Sequence, residues 1–375
     1  MISKIVFRSY LWGISMGFIL LSCKGNAQNF STKNVSRQLI SNYYSPDYSN
    51  NSRAQDIFSV SSDLLKGNDH TEVIQKAIDA NQNILLPNTV ILINGKGIKI
   101  GSNKKVIFQK NTVIKFLGPA NGKFSDIIKI YNAHNVEVIN AVVIGSRNNK
   151  ITQSGQWSAG ISVLNSSNIK IINPKISETF GDGIFIGSED GGFCENVTVS
   201  GGWIDVARRN GISITSGKQV LIQNVIISNT YGHDPESGID IEPSWDKDIL
   251  ENITVSNVCT FNNGSAGISI NLNGLSTANA KDIKVANIVI DKHTDLGSRH
   301  GFLTSLNNIN NRFDVKGNIT VKNSNWKSSR DVAYWKTPQD HSINIIFSGI
   351  KINDTQKQRD FESSVRRLKN TRLIQ

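Results

Sequence analysis

The sequence predicts an all-β fold, a single right-handed parallel β-helix with a cap helix at its N-terminal end. Two short phrases recur along the chain at spacings of 23 to 36 residues, which are typical of solenoids. The first is Asn, or a polar substitute, followed by apolar-x-apolar; its eight copies begin at Asn135, Asn168, Asn196, Gln219, Asn252, Asp282, Asn318 and Ser342. The second is Gly followed by apolar-x-apolar, at Gly160, Gly183, Gly211, Gly238 and Gly267.

The two phrases alternate in a constant order through the middle of the chain. Their alternating β-branched residues predict strands rather than helices. One coil of such strands cannot bury its apolar side, so neighbouring coils are expected to stack around a continuous core. A β-sandwich also has many short strands, but the constant order favours a solenoid. Asn tolerates left-handed backbone and its amide bonds to an equivalent amide, so the repeated Asn predicts a ladder inside the solenoid.

A helix-then-strand segment precedes the repeats. The amphipathic stretch Val73–Ile78 follows Thr71, a predicted N-cap, and leads into apolar stretches at 83–87 and 90–95. This order is similar to the N-terminal cap of the pectate-lyase-like superfamily, and the resemblance runs from about Asp69 to Asp354. It implies a right-handed parallel β-helix of the exported bacterial carbohydrate-active type. Lyases, hydrolases, epimerases and phage tailspikes share this fold, so the activity stays open.

The N-terminus has the pattern of an export signal, residues 1–23. Lys4 and Arg8 precede the apolar stretch 11–21, which is too short to span a bilayer comfortably. The residues that end at Cys23 resemble a bacterial lipobox, which predicts lipidation of Cys23; the alternative is ordinary cleavage after Ala27. We therefore expect an outer-membrane or cell-surface lipoprotein or a periplasmic protein, and otherwise a secreted one.

The rest of the chain divides into three parts. Residues 24–66 are expected to form a tether or irregular lead-in, 67–354 the β-helix, and 355–375 a charged C-terminal tail or solvated helix that covers the end of the solenoid. Cys194 and Cys259 fall at different offsets in non-adjacent repeats, so they are expected to be buried thiols rather than a disulfide.

A net charge of +11 and a pI near 9.5 favour encounter with polyanions. The sequence shows no nucleic-acid-binding motif, and its N-terminus indicates export, so the expected partner is an acidic polysaccharide rather than a nucleic acid. Contact with a membrane is expected only through a lipid on Cys23.

Charged residues concentrate at the middle coils. The Gly phrases predict one parallel sheet whose outward positions form two columns, and Asp240 and Glu242 are their only charged members. Further polar residues lie just upstream or on the two preceding coils, which are about 4.8 Å apart. They are Asp182, Arg208, Arg209, Tyr231, His233, Asp234 and Glu236. A solvated acidic cluster without chemistry is the alternative.

The preferred chemistry is β-elimination on a uronate. Several carboxylate oxygens suit Ca²⁺, which would neutralise the uronate carboxylate and acidify its C5 proton. The expected ligands are Asp234, Glu236, Asp240 and Glu242. His233 is the expected base, because its pKa is normally near neutrality. Arg208 and Arg209 are expected to bind the negative charge of the substrate and not to act as a base, because arginine is normally protonated.

Two other reactions use the same residues. Asp240 and Glu242 are two positions apart on one strand face, roughly 7 Å, which suits an inverting hydrolase; Asp182 could replace either. The paired-Asp and Gly-His-Gly motifs of polygalacturonase-type hydrolases are missing from the sequence. The stretch from Tyr231 to Pro235 is similar to the Tyr-Gly-x-Asp-Pro stretch of alginate C5-epimerases. This resemblance would make Tyr231 and Asp234 catalytic, but that family has His after the Pro where this chain has Glu.

Four residues are candidates for contact with a substrate. Trp157 and Trp245 are expected on loops beside the groove, where they would stack on sugar rings, and Tyr231 joins them. Lys218 is expected on the following turn, within reach of an acidic sugar. Together these observations predict an exported lyase of an acidic polysaccharide. Glycoside hydrolase, C5-epimerase and a non-catalytic carbohydrate-binding or adhesive β-helix remain as alternatives.

Overall fold

The computed structural model describes residues 30–49, 56–118, 125–148, 158–276, 281–306, 315–335 and 342–374. Within these ranges the chain forms three long parallel sheets, and each full coil adds one strand to each. We call them sheet A, sheet B and sheet C, in the order in which the chain visits them. Every strand pair is parallel, which excludes the β-sandwich and confirms the predicted parallel β-helix.

Sheet A has twelve described strands and begins and ends the solenoid. They are Ile57–Ser59, Asn83–Leu85, Lys104–Ile107, His134–Ile139, Ser167–Ile172, Cys194–Ser200, Gly217–Gln223, Leu250–Ser256, Lys284–Asp291, Val315–Lys322, Ile343–Ser348 and Thr371–Ile374. The Asn phrases lie in this sheet.

Sheet B has ten described strands, most of only three residues. They are Val90–Ile93, Val113–Phe116, Val142–Ile144, Lys175–Ser177, Trp203–Asp205, Ile226–Ser228, Cys259–Phe261, Thr294–Leu296, Asn325–Trp326 and Lys351–Ile352.

Sheet C has nine described strands and contains the Gly phrases. They are Ile98–Lys99, Ile128–Tyr131, Ile161–Leu164, Ile184–Gly187, Ile212–Ile214, Ile239–Ile241, Ala266–Asn271, His300–Ser305 and Asp331–Trp335. Inward Ile residues stack in register from coil to coil and are fully buried, as at Ile184, Ile212 and Ile239. Burial of each such side chain contributes about 1.5–3 kcal/mol.

The predicted Asn ladder exists, but it lies on the outside of the solenoid. The Nδ2 of Asn168 donates to Oδ1 of Asn135 at 3.1 Å, and Nδ2 of Asn196 donates to Oδ1 of Asn168 at 2.8 Å. These bonds are exposed, and each Asn has a φ near +55°. The residue type is therefore selected by a left-handed corner that leads into sheet A, with the amide ladder as reinforcement.

Strand pairing corrects the start of two copies of the Asn phrase. Asn318 pairs with Asn287 on the preceding coil and with Asn344 on the following one. The phrases in these coils therefore begin at Asn287 and Asn344, not at Asp282 and Ser342. Both alternatives show the same apolar alternation, and only stacking against a neighbouring coil distinguishes them.

Helix α1 (Arg37–Ser41) lies in the segment expected to be a tether or irregular lead-in. The segment also contributes the strand Ile57–Ser59 to sheet A and a short 3-10 helix, Ser62–Leu64, so the prediction of an irregular lead-in is only partly correct. Its first part lies against the coils. Its hydrogen bonds join Lys33 to Asn229, the carbonyl of Tyr43 to Gly202 and the carbonyl of Asp47 to Asn140. The outer surface of sheet B beneath it is buried at Ile226 and Cys259.

Helix α2 (Thr71–Ala80) covers the N-terminal end of the core with Ile74 and Ile78, as the sequence predicts. The cap residue is His70 rather than Thr71, which is the first helical residue. Asp69 accepts the Thr71 N–H at 3.0 Å instead. A carboxylate at this end of a helix is favourable because the first N–H groups have no partner within the helix.

Helix α3 (Thr355–Arg366) and the strand Thr371–Ile374 form the expected charged tail. The helix is only partly solvated, because Phe361 and Val365 are buried against the last coils. The ring of Phe361 meets Phe347 edge-on at 5.2 Å. The tail therefore closes the C-terminal end of the core and adds one more strand to sheet A.

Cys194 and Cys259 are buried free thiols, as predicted. The predicted signal peptide, with Lys4, Arg8 and Cys23, lies outside the described residues, as does Trp157. Within the described ranges, no helix has both the length and the apolar character needed to cross a bilayer.

Candidate active site

The outward column of sheet C is in the predicted register. Ser162, Phe185, Ser213, Asp240 and Ser269 pair in sequence across five coils. In this column, the three coils before Asp240 and the one coil after it carry neutral residues. Asp240 is the charged member of this stretch, and other charged side chains gather around it.

Arg209 lies at the centre of this gathering. Its Nη1 donates to Oδ2 of Asp182 at 3.0 Å and to Oδ1 at 3.3 Å, and its Nη2 lies 3.9 Å from Oε2 of Glu242. Asp240 contributes a third carboxyl that acts on the same guanidinium. We call Asp182, Arg209, Asp240 and Glu242 the carboxyl cluster.

Asn210 connects the cluster to the backbone, a role that no sequence pattern indicated. Its N–H donates to Oδ1 of Asp182 at 3.0 Å, and its Nδ2 donates to Oδ2 of Asp240 at 3.2 Å. Its own Oδ1 accepts the N–H of Ser237 at 2.9 Å. Because all three groups are buried, these bonds fix where the two carboxyls point.

Asn271, on the next coil, holds the fourth member of the cluster. Its Nδ2 donates to Oε1 of Glu242 at 2.6 Å. Asn271 occupies the expected second outward column beside Glu242, but only the structure shows that its amide fixes the carboxylate.

Exposure within the cluster differs from the sequence expectation. Asp240 is 2% exposed, and the side chain of Arg209 is 12% exposed. Glu242, with 34% of its side chain exposed, is the member that faces solvent most. The cluster is therefore not the solvated acidic surface that was the alternative. The Arg209 guanidinium lies among the carboxyls. Ser213, Asp240 and Ser269 point outward from the sheet, but their side chains are buried.

Burial, as the main cause, raises the pKa of Asp240 well above its ordinary range, and Glu242 raises it further while Arg209 opposes the shift. Burial likewise raises the pKa of Asp182, again opposed by Arg209. Burial alone would lower the pKa of Arg209, but the three carboxyls outweigh it and the net direction is upward. Arg209 is consequently a fixed cation and not a proton acceptor.

Asp240 and Glu242 interact through their charges. The Oδ1 atom of Asp240 is buried without a hydrogen-bond partner. Besides burial, the negative charge of Glu242 raises the pKa of Asp240, as expected for neighbouring carboxyls that disfavour joint ionisation. The protonated form of Asp240 is therefore favoured beside the more exposed Glu242. The spacing of roughly 7 Å that would suit an inverting hydrolase stays a prediction for this pair.

The loop of residues 231–236 leads into the strand of Asp240. His233 is partly exposed, and its Nδ1 lies 2.9 Å from the carbonyl of Asp234. Glu236 accepts the N–H of Gly232 at 2.7 Å, and Asp234 is exposed. No hydrogen bond or ion pair among the described residues joins His233 to the carboxyl cluster. The structure therefore places the expected base and two of the expected metal ligands outside the cluster.

The expected Ca²⁺ site does not fit this arrangement. In the described part of the chain, no three His, Cys, Asp or Glu side chains are grouped so as to hold a metal ion. Between Asp182 and Glu242, the place where a cation would neutralise the carboxylates is taken by Arg209.

Two further cations, Arg147 and Arg208, lie at the corner that precedes sheet C. Arg208 stacks on Phe180, with its Cζ 4.1 Å from the ring centroid, and its Nη1 donates to the Phe180 carbonyl at 3.1 Å. Arg147 stacks on Tyr231, with its Cζ 3.6 Å from the ring centroid. We call Arg147 and Arg208 the arginine pair. Nothing in the sequence pattern singled out Arg147, because it reaches Tyr231 across three coils.

Trp245 lies on the loop that follows Glu242, and it is 61% exposed. Asp248 holds this loop: its Oδ2 accepts the N–H of Ser244 at 2.7 Å and of Trp245 at 2.9 Å, while its Oδ1 accepts the Ser188 hydroxyl at 2.8 Å. The indole is therefore presented to solvent from a fixed loop, as expected for a sugar-stacking residue.

Lys218 is not on a turn beside the cluster. It lies in the sheet A strand Gly217–Gln223, and its Nζ is 3.8 Å from Oε1 of Glu195 on the neighbouring strand. The prediction failed because the sheet A strand begins directly after the corner, which leaves no room for a turn.

Comparison with known proteins establishes the fold. No family model matches the sequence. An uncharacterized Bacillus subtilis protein, YclG, is 25% identical over 197 residues, which are 48% of this chain. The matched region spans only 33% of that relative's length.

Several solved structures share the architecture. The A-module of mannuronan C-5 epimerase AlgE6 of Azotobacter vinelandii is 16% identical with a TM-score of 0.56, over 79% of this chain and 86% of the other. The PfbA surface adhesin of Streptococcus pneumoniae is 14% identical with a TM-score of 0.57, over 79% of this chain and 85% of the other. The polygalacturonase of Erwinia carotovora is 12% identical with a TM-score of 0.54, over 92% of this chain and 100% of the other. The expected pectate-lyase-like right-handed β-helix is confirmed, at the level of fold.

Proposed function

We propose that this protein is an enzyme that cleaves glycosidic bonds in a polysaccharide, with the Asp240–Glu242 pair as its acid–base group. The observation that carries this proposal is the placement of a buried carboxyl, Asp240, and a partly exposed one, Glu242, two positions apart in the chain and beside the Arg209 guanidinium. Environments that separate the proton affinities of two neighbouring carboxyls are typical of acid–base sites. The solved structures of similar fold include a polygalacturonase and a mannuronan epimerase, which supports a polysaccharide as substrate.

Hydrolysis is the reaction that this pair supports best. Glu242 is the member that a sugar can reach. Burial raises the pKa of Asp240 behind it, which favours the protonated form that can supply a proton. The pair gives its proton through Glu242 to the glycosidic oxygen, and the bond from that oxygen to the anomeric carbon breaks. A water oxygen then bonds to the anomeric carbon, and the proton released by that water returns to the pair. One water is consumed, and the pair is restored.

The rest of the cluster positions this pair. Arg209 favours the ionised form of Asp182 and balances the negative charge that remains when the proton leaves. Asn210 and Asn271 hold Asp240 and Glu242 in place through their amides. Preorganised donors of this kind are effective because they need no rearrangement during the reaction.

β-Elimination on a uronate is the second candidate. The arginine pair favours it, because two guanidinium groups near the site could neutralise a uronate carboxylate and so acidify the C5 proton. It also requires a base, and His233, the base expected from the sequence, has no contact with the carboxyl cluster. The two candidates leave different products: hydrolysis yields a saturated sugar at each new end, whereas β-elimination yields an unsaturated uronate.

The purified protein should be incubated with polygalacturonate, alginate, a sulfated galactan and an uncharged galactan. New reducing ends without ultraviolet absorbance from unsaturated uronate indicate hydrolysis, and both signals together indicate β-elimination. Glu242→Gln should abolish product formation. Glu251→Gln, on the sheet A strand of the same coil, is the matched control and should leave it unchanged. No product from any glycan, or full activity in Glu242→Gln, contradicts the proposal.

We also propose that the protein is exported and anchored by a lipid on Cys23. The lipobox-like sequence that ends at Cys23 supports this proposal. Cys23→Ser should release the protein from the membrane fraction of the producing cells. Mass spectrometry of the mature N-terminus should find a diacylated Cys23, and an unmodified N-terminus that begins at Gln28 would instead indicate cleavage after Ala27.

A further inference from the structure

The two side chains of the arginine pair are neighbours. A Cβ atom built on Gly232 would lie 3.0 Å from Nη2 of Arg147 and 3.4 Å from Cγ of Arg208. The left-handed backbone of Gly232, with a φ of +111°, allows both to approach it. The Arg147 guanidinium and the aliphatic part of the Arg208 side chain thus meet at one short loop, and each guanidinium stacks on its own aromatic ring.

The surroundings of the pair disfavour its charge. Burial, as the main cause, lowers the pKa of Arg147; Tyr231 opposes the shift, and the charge of Arg208 lowers the pKa further. Burial also lowers the pKa of Arg208. The Glu236 carboxylate raises the pKa of Arg147, but its effect is smaller than that of Arg208. Among the described residues, Arg147 has no carboxylate within ion-pair distance.

The hydrogen bonds of Arg147 leave part of its donor set available. Its Nη1 donates to the carbonyl of Tyr231 at 2.6 Å and to that of Val206 at 3.5 Å. These bonds and the Tyr231 ring fix the plane of the guanidinium, and they use one of its three nitrogens. A fixed, partly desolvated guanidinium with unused donors is well suited to receive two oxygens of one anionic group.

We propose that the arginine pair binds an anionic group of the polysaccharide, either a uronate carboxylate or a sulfate ester. The inference rests on the proposed function, because it assumes that a glycan lies along sheet C. Arg208 and Arg209 are consecutive, and their side chains reach Phe180 and Asp182, which are two residues apart on the preceding coil. The anionic group therefore belongs to a sugar unit next to the one that meets Glu242, and the pair selects acidic substrates.

The test measures glycan binding by calorimetric titration to the Glu242→Gln protein, which binds without turnover. The probes are oligosaccharides of polygalacturonate, of a sulfated galactan and of an uncharged galactan. Arg147→Gln should weaken binding of an acidic probe by about tenfold to a hundredfold, since it removes charge-assisted hydrogen bonds. It should also reduce the dependence of binding on salt. Arg147→Lys keeps the charge but loses the planar fork, so its affinity should be intermediate.

Lys175→Gln is the matched control. Lys175 also lies over an aromatic ring, 5.0 Å from the centroid of Trp203, but in sheet B. It should bind every probe like the parent protein. Thermal unfolding of each variant shows whether a loss of affinity reflects a loss of fold.

The three probes separate the outcomes. An Arg147-dependent preference for the uronate probe assigns the pair to a carboxylate, and one for the sulfated probe assigns it to a sulfate ester. Equal affinity for acidic and uncharged probes, or unchanged binding in a folded Arg147→Gln protein, overturns the inference even if the enzyme cleaves glycans. If wild type cleaves nothing but Arg147→Gln loses binding to an acidic probe, the proposed function fails and the inference stands.

Discussion

Arg208 and Arg209 are consecutive in the chain, yet they occupy opposite electrostatic environments. Arg209 turns towards sheet C and lies among three carboxyls, which raise its pKa. Arg208 turns towards the ring and carbonyl of Phe180, and burial lowers its pKa. The structure thus builds two regions from one dipeptide: a carboxyl cluster whose charges are matched internally, and an arginine pair whose charge is matched only weakly.

This difference separates two tasks. Internally matched charges are held in place without a ligand, which suits a proton-transfer group that must be ready before the substrate arrives. Cations that are partly desolvated and only weakly matched by nearby carboxylates gain the most interaction energy when an anion binds, which suits substrate recognition. We expect substitutions in the cluster to affect catalysis and folding, and substitutions in the pair to affect substrate affinity.

The largest effect is expected for Asp240→Asn. Asn accepts the bond from Asn210 as Asp240 does, so the variant should fold, but its amide cannot supply a proton for acid catalysis. We expect kcat to fall by about a hundredfold to ten-thousandfold, as is common when an acid–base group is lost. Rate measurements on whichever glycan of the panel the protein cleaves check this prediction, and Ser269→Ala in the same column is the control. A variant with at least half of the wild-type kcat would show that Asp240 holds no catalytic proton.

Arg209→Gln is expected to have the next largest effect. It leaves Asp182 buried without its ionic partner, and removing one partner of a buried pair typically costs about 3–5 kcal/mol. Arg208→Gln removes a half-buried cation that leaves no buried carboxylate behind, so its cost should stay near 1 kcal/mol. Urea unfolding of both variants measures the difference. Equal losses of stability would contradict the distinction between the two arginines.

The sequence predicts the fold because the fold is periodic: each coil repeats the same apolar alternation, and even a misplaced start at Asp282 leaves the architecture intact. The site is not periodic. Asp240 and Glu242 were recognisable as the charged exception in a neutral column, but their contact and burial depend on where Arg209 and Asn210 place their side chains. Such placements are made by stacking of distant coils, and no local pattern contains them.

The contribution of Arg147 shows the same limit. It lies in an unremarkable stretch after a sheet B strand, and its guanidinium bonds to carbonyls at Val206 and Tyr231, 59 and 84 residues away. The Tyr231–Pro235 similarity drew attention to catalytic roles for Tyr231 and Asp234. In the structure, the ring of Tyr231 supports Arg147, and Asp234 is exposed.

The smallest expected effect is a change in how stability depends on pH. The folded-state pKa of Asp240 is raised above 3.8, mainly by burial, so the protonated form favours the folded state. Its contribution is fully present below the unfolded-state pKa, and it is lost as the pH rises through the raised folded-state pKa. Asn cannot ionise, so Asp240→Asn should gain stability relative to wild type as the pH increases. Thermal unfolding between about pH 4 and pH 9 measures the difference in stability between Asp240→Asn and the protein with Asp240. In an Arg209→Gln background this difference should be larger, because Arg209 opposes the upward shift of the Asp240 pKa. A difference that becomes smaller as the pH rises would show that Asp240 is ionised throughout this range.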